Sequence, residues 1–248
     1  MLRAIFFIFF LFTASAFGGQ RIVSLSPALT ELLFYLGLGG EVVGVTDFCT
    51  IPECSGKERV GGIVNPNVEK IIQLKATTVV ATTMTPKRVC DSLESFGVKC
   101  LRFRLTTLKE LQEAALKVAQ ELQAPAERAE GVTEEIEERA RELSRCFKGK
   151  RLFIALSSRP LYAAGEGSYL GELFKIAGAE VVPKGSFSPV SLELLYAEKP
   201  QIILSFSGCS QFKEFNCLNL KRLKEKLLHL SPRLAQGLRE LKEEACSR

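Results

Sequence analysis

Residues 21–37, RIVSLSPALTELLFYLG, combine one strand and one helix in a single unit. Residues 21–25 form a short apolar run rich in β-forming residues, which is typical of a buried strand. Ser26-Pro27 suits a helix start, because serine caps helix N-termini and proline fits the first turn. Gly37 suits the helix end, where glycine adopts backbone angles that other residues avoid. The stretch therefore predicts a strand followed directly by a helix.

The same alternation continues along the chain on both sides of its middle. In the first half it predicts strands over 42–46, 78–82 and 98–103 and helices over 67–74 and 86–96. In the second half it predicts strands over 151–156, 180–182, 201–206 and 217–220, helices over 169–177, 191–197 and 231–245, and a turn-rich loop over 157–167. Short strands that alternate with helices indicate parallel sheets covered on both faces, with right-handed connections. The predicted fold class is therefore α/β.

A polar helical segment, residues 124–147, separates the two halves. It follows an amphipathic helix predicted over 107–122, and Pro125 suits the start of the new helix. The segment has few apolar residues, and it pairs glutamate with arginine four positions later at Glu135 and at Glu137. A polar helix of about 20 residues is about 30 Å long and can join two lobes through solvent.

The alternative for this segment is a surface helix of a single domain. Because the strand-helix pattern restarts directly after it, we favour two lobes, residues 19–123 and residues 148–248, joined by one long α-helix.

The first 18 residues have the composition of a secretory signal peptide. Arg3 is the only charged residue there, residues 4–12 are all apolar, and small residues suit cleavage after Ala16 or Gly18. The apolar run is too short to span about 30 Å of hydrocarbon, which argues against a membrane anchor. We predict export from the cytoplasm with removal of the signal peptide.

Composition and motifs argue against several classes of function. Without Arg3 the formal charge falls from +5 to +4 and is spread along the chain, so neither nucleic acid nor a membrane surface is a predicted partner. The single histidine, His229, cannot build a multi-histidine metal site. No G-x-S-x-G or P-loop motif is present, and residues 37–40, although glycine-rich, follow a helix and therefore indicate a turn. We predict no catalytic residues, no metal and no cofactor.

The eight cysteines all lie after the signal peptide and none forms a C-x-x-C motif. An even number outside the cytosol favours disulfides. Eight cysteines allow 105 pairings, so the sequence favours only the pairs that are close in sequence or level across a turn. The expected pairs are Cys49 with Cys54, Cys209 with Cys217, and Cys90 with Cys100, which leaves Cys146 with Cys246.

Several segments resemble the periplasmic binding proteins that serve cobalamin and iron-siderophore ABC importers. They are residues 21–31 (RIVSLSPALTE), 42–46 (VVGVT), 60–62 (VGG), 67–71 (NVEKI), 74–80 (LKATTVV) and 231–234 (SPRL). The resemblance covers nearly all of the chain after the signal peptide and is weakest over 208–230. It implies two Rossmann-like lobes joined by one long α-helix, with a small-molecule ligand in the cleft between them. It also implies a monomer that performs no chemistry and delivers its ligand to a permease.

Within that family the cobalamin-binding members are the most similar, and they surround the corrin ring with aromatic residues. Phe48, Tyr162 and Phe187 match three such positions, whereas Ile63 and Thr82 occupy positions where those members have bulky aromatics. We therefore expect these five residues to line the cleft, with core packing as the alternative for the three aromatics. A cobalamin-like ligand is the first expectation, and an iron-siderophore or haem is the alternative.

The resemblance also implies one exposed acid per lobe that pairs with arginines of the permease. Glu69 and Glu193 match these positions. The alternative is that they only interact favourably with the helix dipole, since each stands at a helix start. An exported enzyme or a structural envelope protein on the same scaffold is the alternative function from another class.

Overall fold

The structure, a computed structural model, describes residues 19–246. The predicted signal peptide lies outside these residues. The first lobe contains a five-stranded sheet with the order β3-β2-β1-β4-β5, in which every pairing is parallel. Its strands are β1 (Ile22–Ser24), β2 (Val42–Val45), β3 (Glu58–Arg59), β4 (Thr78–Thr82) and β5 (Lys99–Phe103). Four of these strands were predicted. β3 was not, because two exposed charged residues carry no strand pattern.

Four helices cover this sheet: α1 (Pro27–Tyr35), α2 (Val68–Gln73), α3 (Lys87–Ser95) and α4 (Leu108–Leu122). Two of these helices, α2 and α4, begin with a side-chain cap. The Asn67 side chain accepts a hydrogen bond from the Lys70 amide at the start of α2. Thr107 and Glu110 form a reciprocal capping box at the start of α4, which satisfies two backbone amides that a helix end leaves free.

The segment between the lobes is helical, but it is three helices rather than one. They are α5 (Ala126–Glu130), α6 (Glu134–Glu142) and α7 (Ser144–Phe147), with turns between them. The segment does not cross solvent either, because one of its faces is buried. The buried residues are Ala129, Val132, Ile136, Ala140, Leu143 and Phe147. Their spacing of three or four residues is a helical stripe. The α5 part of the segment packs against α4 of the first lobe, and α6 packs against two helices of the second lobe, Tyr169–Ile176 and Leu234–Cys246. These findings correct the prediction of a single solvated helix.

The second lobe contains a six-stranded sheet with the order β11-β10-β6-β7-β9, in which β8 also pairs with β6. Its strands are β6 (Arg151–Ser158), β7 (Leu161–Ala164), β8 (Glu180–Val182), β9 (Phe187–Pro189), β10 (Ile202–Ser205) and β11 (Cys217–Asn219). Its helices are α8 (Tyr169–Ile176), α9 (Leu192–Glu198), α10 (Lys224–Leu227) and α11 (Leu234–Cys246).

This second sheet is mixed, not parallel throughout. β6 and β7 form an antiparallel pair across the part of the chain that was predicted to be a loop, and β7 and β9 are also antiparallel. The Ser157 hydroxyl donates to the Pro160 carbonyl at 2.7 Å, which closes the tight turn between β6 and β7. Turn residues on both sides of a four-residue strand concealed the strand in the sequence.

One continuous apolar core extends through both lobes. It contains Leu32 and Leu111 from the first lobe, Ile136 from the connecting segment, and Leu152 and Leu241 from the second lobe. Two smaller clusters pack on the opposite faces of the two sheets. Because the largest core crosses the boundary, the lobes are packed as one unit.

Four disulfides join the pairs that the sequence analysis predicted. The Cα–Cα distances are 6.4 Å for Cys49–Cys54, 5.5 Å for Cys90–Cys100, 5.4 Å for Cys146–Cys246 and 5.8 Å for Cys209–Cys217. The Cys146–Cys246 bond ties α7 to the end of α11 across 100 residues, whereas the other three close short loops.

Replacing both Cys146 and Cys246 by serine should lower the free energy of unfolding by roughly 4 kcal/mol, because a bond across 100 residues strongly restricts the unfolded chain. The matched control replaces Cys49 and Cys54, which are five residues apart, and should cost roughly 2 kcal/mol. Equilibrium unfolding in urea measures both values. Equal losses for the two pairs would contradict the loop-length argument.

Candidate ligand cleft between the lobes

The edge of the first sheet at which its parallel strands end faces the second lobe. After β2, the Thr50 hydroxyl donates to the Glu225 carboxylate of α10 at 2.9 Å. After β5, the Thr106 carbonyl accepts a hydrogen bond from the Tyr169 amide of α8 at 2.9 Å. Ligands of open α/β sheets bind outside the carboxyl ends of the strands. This edge is therefore the candidate ligand cleft.

Two of the three predicted ligand residues of the first lobe lie together at this edge. Phe48, on the loop after β2, is 58% exposed. Its ring lies beside Gly62, where an added Cβ would be 3.7 Å from Phe48 Cε2. Ile63 follows directly and is half-buried. Thr82 differs from both, because it is 8% exposed and its hydroxyl has no hydrogen-bond partner within residues 19–246. Thr82 therefore presents almost no surface to a ligand.

The two predicted ligand residues of the second lobe have different surroundings. Tyr162 is half-buried in β7 and pairs with Ser157, so it lies near the carboxyl end of β6. Phe187 lies in β9, and its ring packs on the Tyr169 ring with the centroids 5.7 Å apart. Phe187 is half-buried, so this contact agrees both with a place at the cleft and with core packing, and its role stays a prediction.

Tyr169 was not predicted from the sequence, although it is central to the boundary between the lobes. Its side chain is 5% exposed, and its hydroxyl donates to the Leu227 carbonyl at 2.9 Å. Burial raises the pKa of the Tyr169 phenol, so it remains a hydrogen-bond donor at neutral pH. A lone tyrosine inside an amphipathic helix carries no pattern that distinguishes this role from ordinary core packing.

A buried carboxylate joins the lobes beneath the cleft. The Glu31 side chain is 3% exposed, and it accepts a hydrogen bond from the Ser231 hydroxyl. Arg233 Nη1 lies 3.5 Å and His229 Nδ1 lies 3.3 Å from Glu31 Oε1. Glu31 belongs to α1, and its three partners lie in the segment directly before α11, about 200 residues later in the chain. The group therefore fixes the first helix of one lobe against the last helix of the other.

The start of α4 makes a second contact between the lobes. The Leu108 amide donates to the Glu172 carboxylate of α8 at 2.8 Å. Burial alone would raise the pKa of the neighbouring Glu110. Hydrogen bonds from Thr106 and Arg104 outweigh that effect and lower the pKa, so Glu110 stays ionised as the cap of α4.

A cavity of about 360 Å³ lies beside the Glu31 group, between α1 and α11. Its walls include Phe34, Tyr35, Ile51, Pro232 and Gln236. None of the five predicted ligand residues lines it, and its buried carboxylate is already hydrogen bonded. For these reasons we place the candidate ligand site at the carboxyl edge of the first sheet and not in this cavity.

The two predicted docking acids stand on separate lobes. Glu69 is exposed in the first turn of α2, and Glu193 is exposed in the first turn of α9. Hydrogen bonds from the Ser191 hydroxyl and from the backbone amide of Glu193 lower the pKa of Glu193, so it is negatively charged at neutral pH. Both acids also lie where a helix dipole favours them, so their positions agree with either of the two predicted roles.

Comparison with known proteins identifies the family to which this chain belongs. The sequence model of a family described as "Periplasmic binding protein" matches residues 22–227. The chain belongs to the periplasmic binding protein family. The resemblance noted in the sequence is therefore confirmed, and the chain is a binding protein and not an enzyme.

Proteins similar to this binding protein are named for vitamin B12, for heme or for iron. It is 27% identical to the vitamin B12-binding protein of Yersinia pestis (strain Pestoides F), over 96% of this chain and 90% of that protein. Among solved structures it is similar to the periplasmic vitamin B12 binding protein of Vibrio cholerae, with a TM-score of 0.71 and 21% identity over 92% of this chain and 97% of the other. It is also similar to the periplasmic heme-binding protein of Roseiflexus sp. RS-1, with a TM-score of 0.73 and 23% identity over 93% of this chain and 99% of the other.

The likeness to these solved structures establishes the two-lobed fold of this binding protein. Across residues 19–246, no cluster of three or more histidine, cysteine, aspartate or glutamate residues is arranged to hold a metal ion. In the same part of the chain, no helix is long and apolar enough to cross a membrane.

Replacing Glu31 by glutamine should lower the free energy of unfolding by about 2 kcal/mol. The amide keeps the shape of the side chain but loses the charge that strengthens its hydrogen bonds with Ser231 and Arg233. Exposed Glu53 lines the same cavity, so Glu53→Gln is the matched control and should change stability by less than about 0.5 kcal/mol. Urea unfolding measures both, and a Glu31→Gln protein as stable as the parent would contradict the assigned role.

Proposed function

We propose that this protein binds a cobalamin-like corrinoid in the cleft between its lobes and delivers it to the permease of an ABC importer. The observation that carries the proposal is the exposed ring of Phe48 at the edge of the first sheet that faces the second lobe. A large aromatic that is 58% exposed there offers a flat apolar face to a ligand with a flat macrocycle. Similarity over nearly the whole chain to a vitamin B12-binding protein supports the same ligand class.

The geometry also supports a particular mode of binding. The lobes share one core, and the Glu31 group holds α1 against α11. A cleft between lobes joined in this way is preformed, so little ordering free energy is lost when the ligand enters. We expect small closure of the lobes and not a wide hinge motion.

The cellular setting is part of the proposal. Family membership supports a periplasmic location, and four disulfides suit an oxidising compartment. We propose that residues 1–18 act as a signal peptide that is cleaved after Ala16 or Gly18, and that the mature protein works as a monomer.

A second ligand class, haem or a ferric siderophore, is favoured by one specific feature of the cleft. Ile63 and Thr82 occupy positions where cobalamin-binding members have aromatic rings, and Thr82 is buried. This edge therefore offers a corrin ring fewer stacking surfaces than those members do. The similarity in fold to a heme-binding protein makes haem the first ligand to compare with cobalamin.

A titration of the purified protein with cyanocobalamin, cobinamide, haemin and a ferric siderophore identifies the ligand. We expect cyanocobalamin to bind. Phe48→Ala should lower the affinity about tenfold, because it removes the apolar ring surface that the ligand would cover. Phe96→Ala is the matched control, since Phe96 is 63% exposed at the opposite end of the first lobe and should leave the affinity unchanged. Visible absorbance and calorimetry measure binding. If none of the four compounds binds, the proposed function is wrong.

We also propose that Glu69 and Glu193 dock the protein on arginines of the permease. Charge reversal at both positions, Glu69→Lys with Glu193→Lys, should leave ligand affinity within about twofold and abolish uptake, because charges at an interface rim steer association. The control reverses two other exposed acids, Glu94 and Glu243, and should leave uptake intact. Uptake is measured with labelled ligand in cells that depend on this protein, and normal uptake by the first double mutant would remove the docking assignment.

A further inference from the structure

The loop after β4 displays an apolar side chain to which the sequence analysis gave no role. Met84 is 64% exposed, although it lies between Thr83 and Thr85 in a loop that is otherwise well connected. Phe48 after β2 and Val64 after β3 are exposed on the same edge of the sheet, at 58% and 54%. Three loops therefore hold apolar side chains out at the edge that faces the second lobe.

The backbone beneath Met84 is held by the side chain of Arg102 in β5. Arg102 Nη2 donates to the Thr83 carbonyl at 3.0 Å, and its Nε donates to the Thr85 carbonyl at 3.1 Å. The Thr85 hydroxyl in turn donates to the Ile63 carbonyl at 2.8 Å, which ties this loop to the loop after β3. The planar guanidinium suits this task because its donors are fixed in one geometry.

The loop that carries Phe48 is held in the same way from the other edge of the sheet. Arg59 in β3 donates from Nη1 to the Thr46 carbonyl at 2.8 Å and to the Cys49 carbonyl at 2.9 Å. β3 and β5 are the two edge strands, and each supplies one arginine to the loop of the strand beside it. In both loops the bonded carbonyls flank the exposed apolar side chain.

In both loops the backbone is fixed, while the apolar side chain is free to contact a ligand. The carbonyls on both sides of Met84 and of Phe48 are hydrogen bonded, whereas the two side chains are largely in solvent. An exposed apolar side chain does not stabilise the fold. Because its backbone is already fixed, less free energy is lost in ordering the loop when an apolar ligand binds. A polarizable thioether and an aromatic ring on the same edge of the sheet both suit the flat conjugated face of a macrocycle.

We propose that Met84 contacts the ligand, and that Arg102 and Arg59 are positioning residues that hold Met84 and Phe48 at the rim of the cleft. The ligand contact of Met84 rests on the proposed function, because it requires a ligand in the cleft. The positioning of Met84 by Arg102 does not depend on that function. The ligand class is a flat conjugated macrocycle, and cyanocobalamin and haemin are the two probes.

The contact is tested by the methyl signal of Met84. The chain contains two methionines, Met1 and Met84, so the ε-methyl resonance that disappears in Met84→Leu is that of Met84. Addition of the probe that binds should shift or broaden this resonance, and Met84→Ala should weaken that probe about tenfold. Phe96→Ala is the control and should not change the affinity. A bound probe that leaves the Met84 resonance unmoved overturns the contact.

The positioning role is tested by Arg102→Met, with Arg88→Met at an exposed position of α3 as the matched control. In the free protein Arg102→Met should shift the Met84 methyl resonance, and it should weaken the probe about fivefold while the unfolding midpoint stays the same. The double variant Arg102→Met with Met84→Ala should bind no more weakly than Met84→Ala alone, because Arg102 acts through Met84. Arg102→Lys keeps one of the two donors and should give an intermediate loss.

Either of two results overturns the positioning role. One is a Met84 methyl resonance that does not shift in ligand-free Arg102→Met protein, and the other is a double variant whose loss of affinity equals the sum of the two single losses. If neither probe binds the parent protein, the proposed function is wrong for these ligands. The methyl resonance of free Arg102→Met then still decides whether Arg102 positions Met84, so the two failures are distinguishable.

Discussion

The burial of the Glu31 carboxylate between the lobes is the interaction on which the rest of the structure depends. A charged group at 3% exposure is stable only if its hydrogen-bonding capacity is filled, and here the partners come from the far end of the chain. Glu31 is therefore satisfied only when α1 and α11 lie side by side. This requirement sets the distance between the lobes, and the shared apolar core around it resists their separation.

A fixed junction has a direct consequence for the cleft above it. With the small closure proposed above, the loops at the carboxyl edge of the first sheet determine the shape of the candidate site. These loops are held by side chains from the edge strands, Arg59 and Arg102, and by the Cys49–Cys54 disulfide. The protein thus presents Phe48 and Met84 on backbone that is already ordered. Under the proposed function, affinity would come from this preorganised backbone and not from a large conformational change.

The parts of the fold that were predicted correctly are those that depend on local periodicity. β1 and α1 follow from an apolar run, a proline at the first helical turn and Gly37. β4 follows from the β-forming run TVVAT, whose five residues are all buried in the structure. β7 was missed because its four residues lie between two groups of turn formers, and its antiparallel direction depends on pairing with β6. Within the site, Phe48 and Ile63 could be placed by resemblance alone. The burial of Thr82 could not, because it depends on which surfaces meet after folding.

By itself the sequence determined the α/β class, the two repeated strand-helix series, the expected partners of the nearby cysteines and the family. These follow from spacing over fewer than about 20 residues or from motifs that stand in the chain as written. The tertiary structure alone decided three other features: the connecting segment is buried, Glu31 joins the lobes, and Arg102 holds the loop of Met84. Each of these depends on which surfaces meet after folding. The stripe from Ala129 to Phe147 has helical spacing, yet only the packing of α6 against α11 shows that solvent does not reach it.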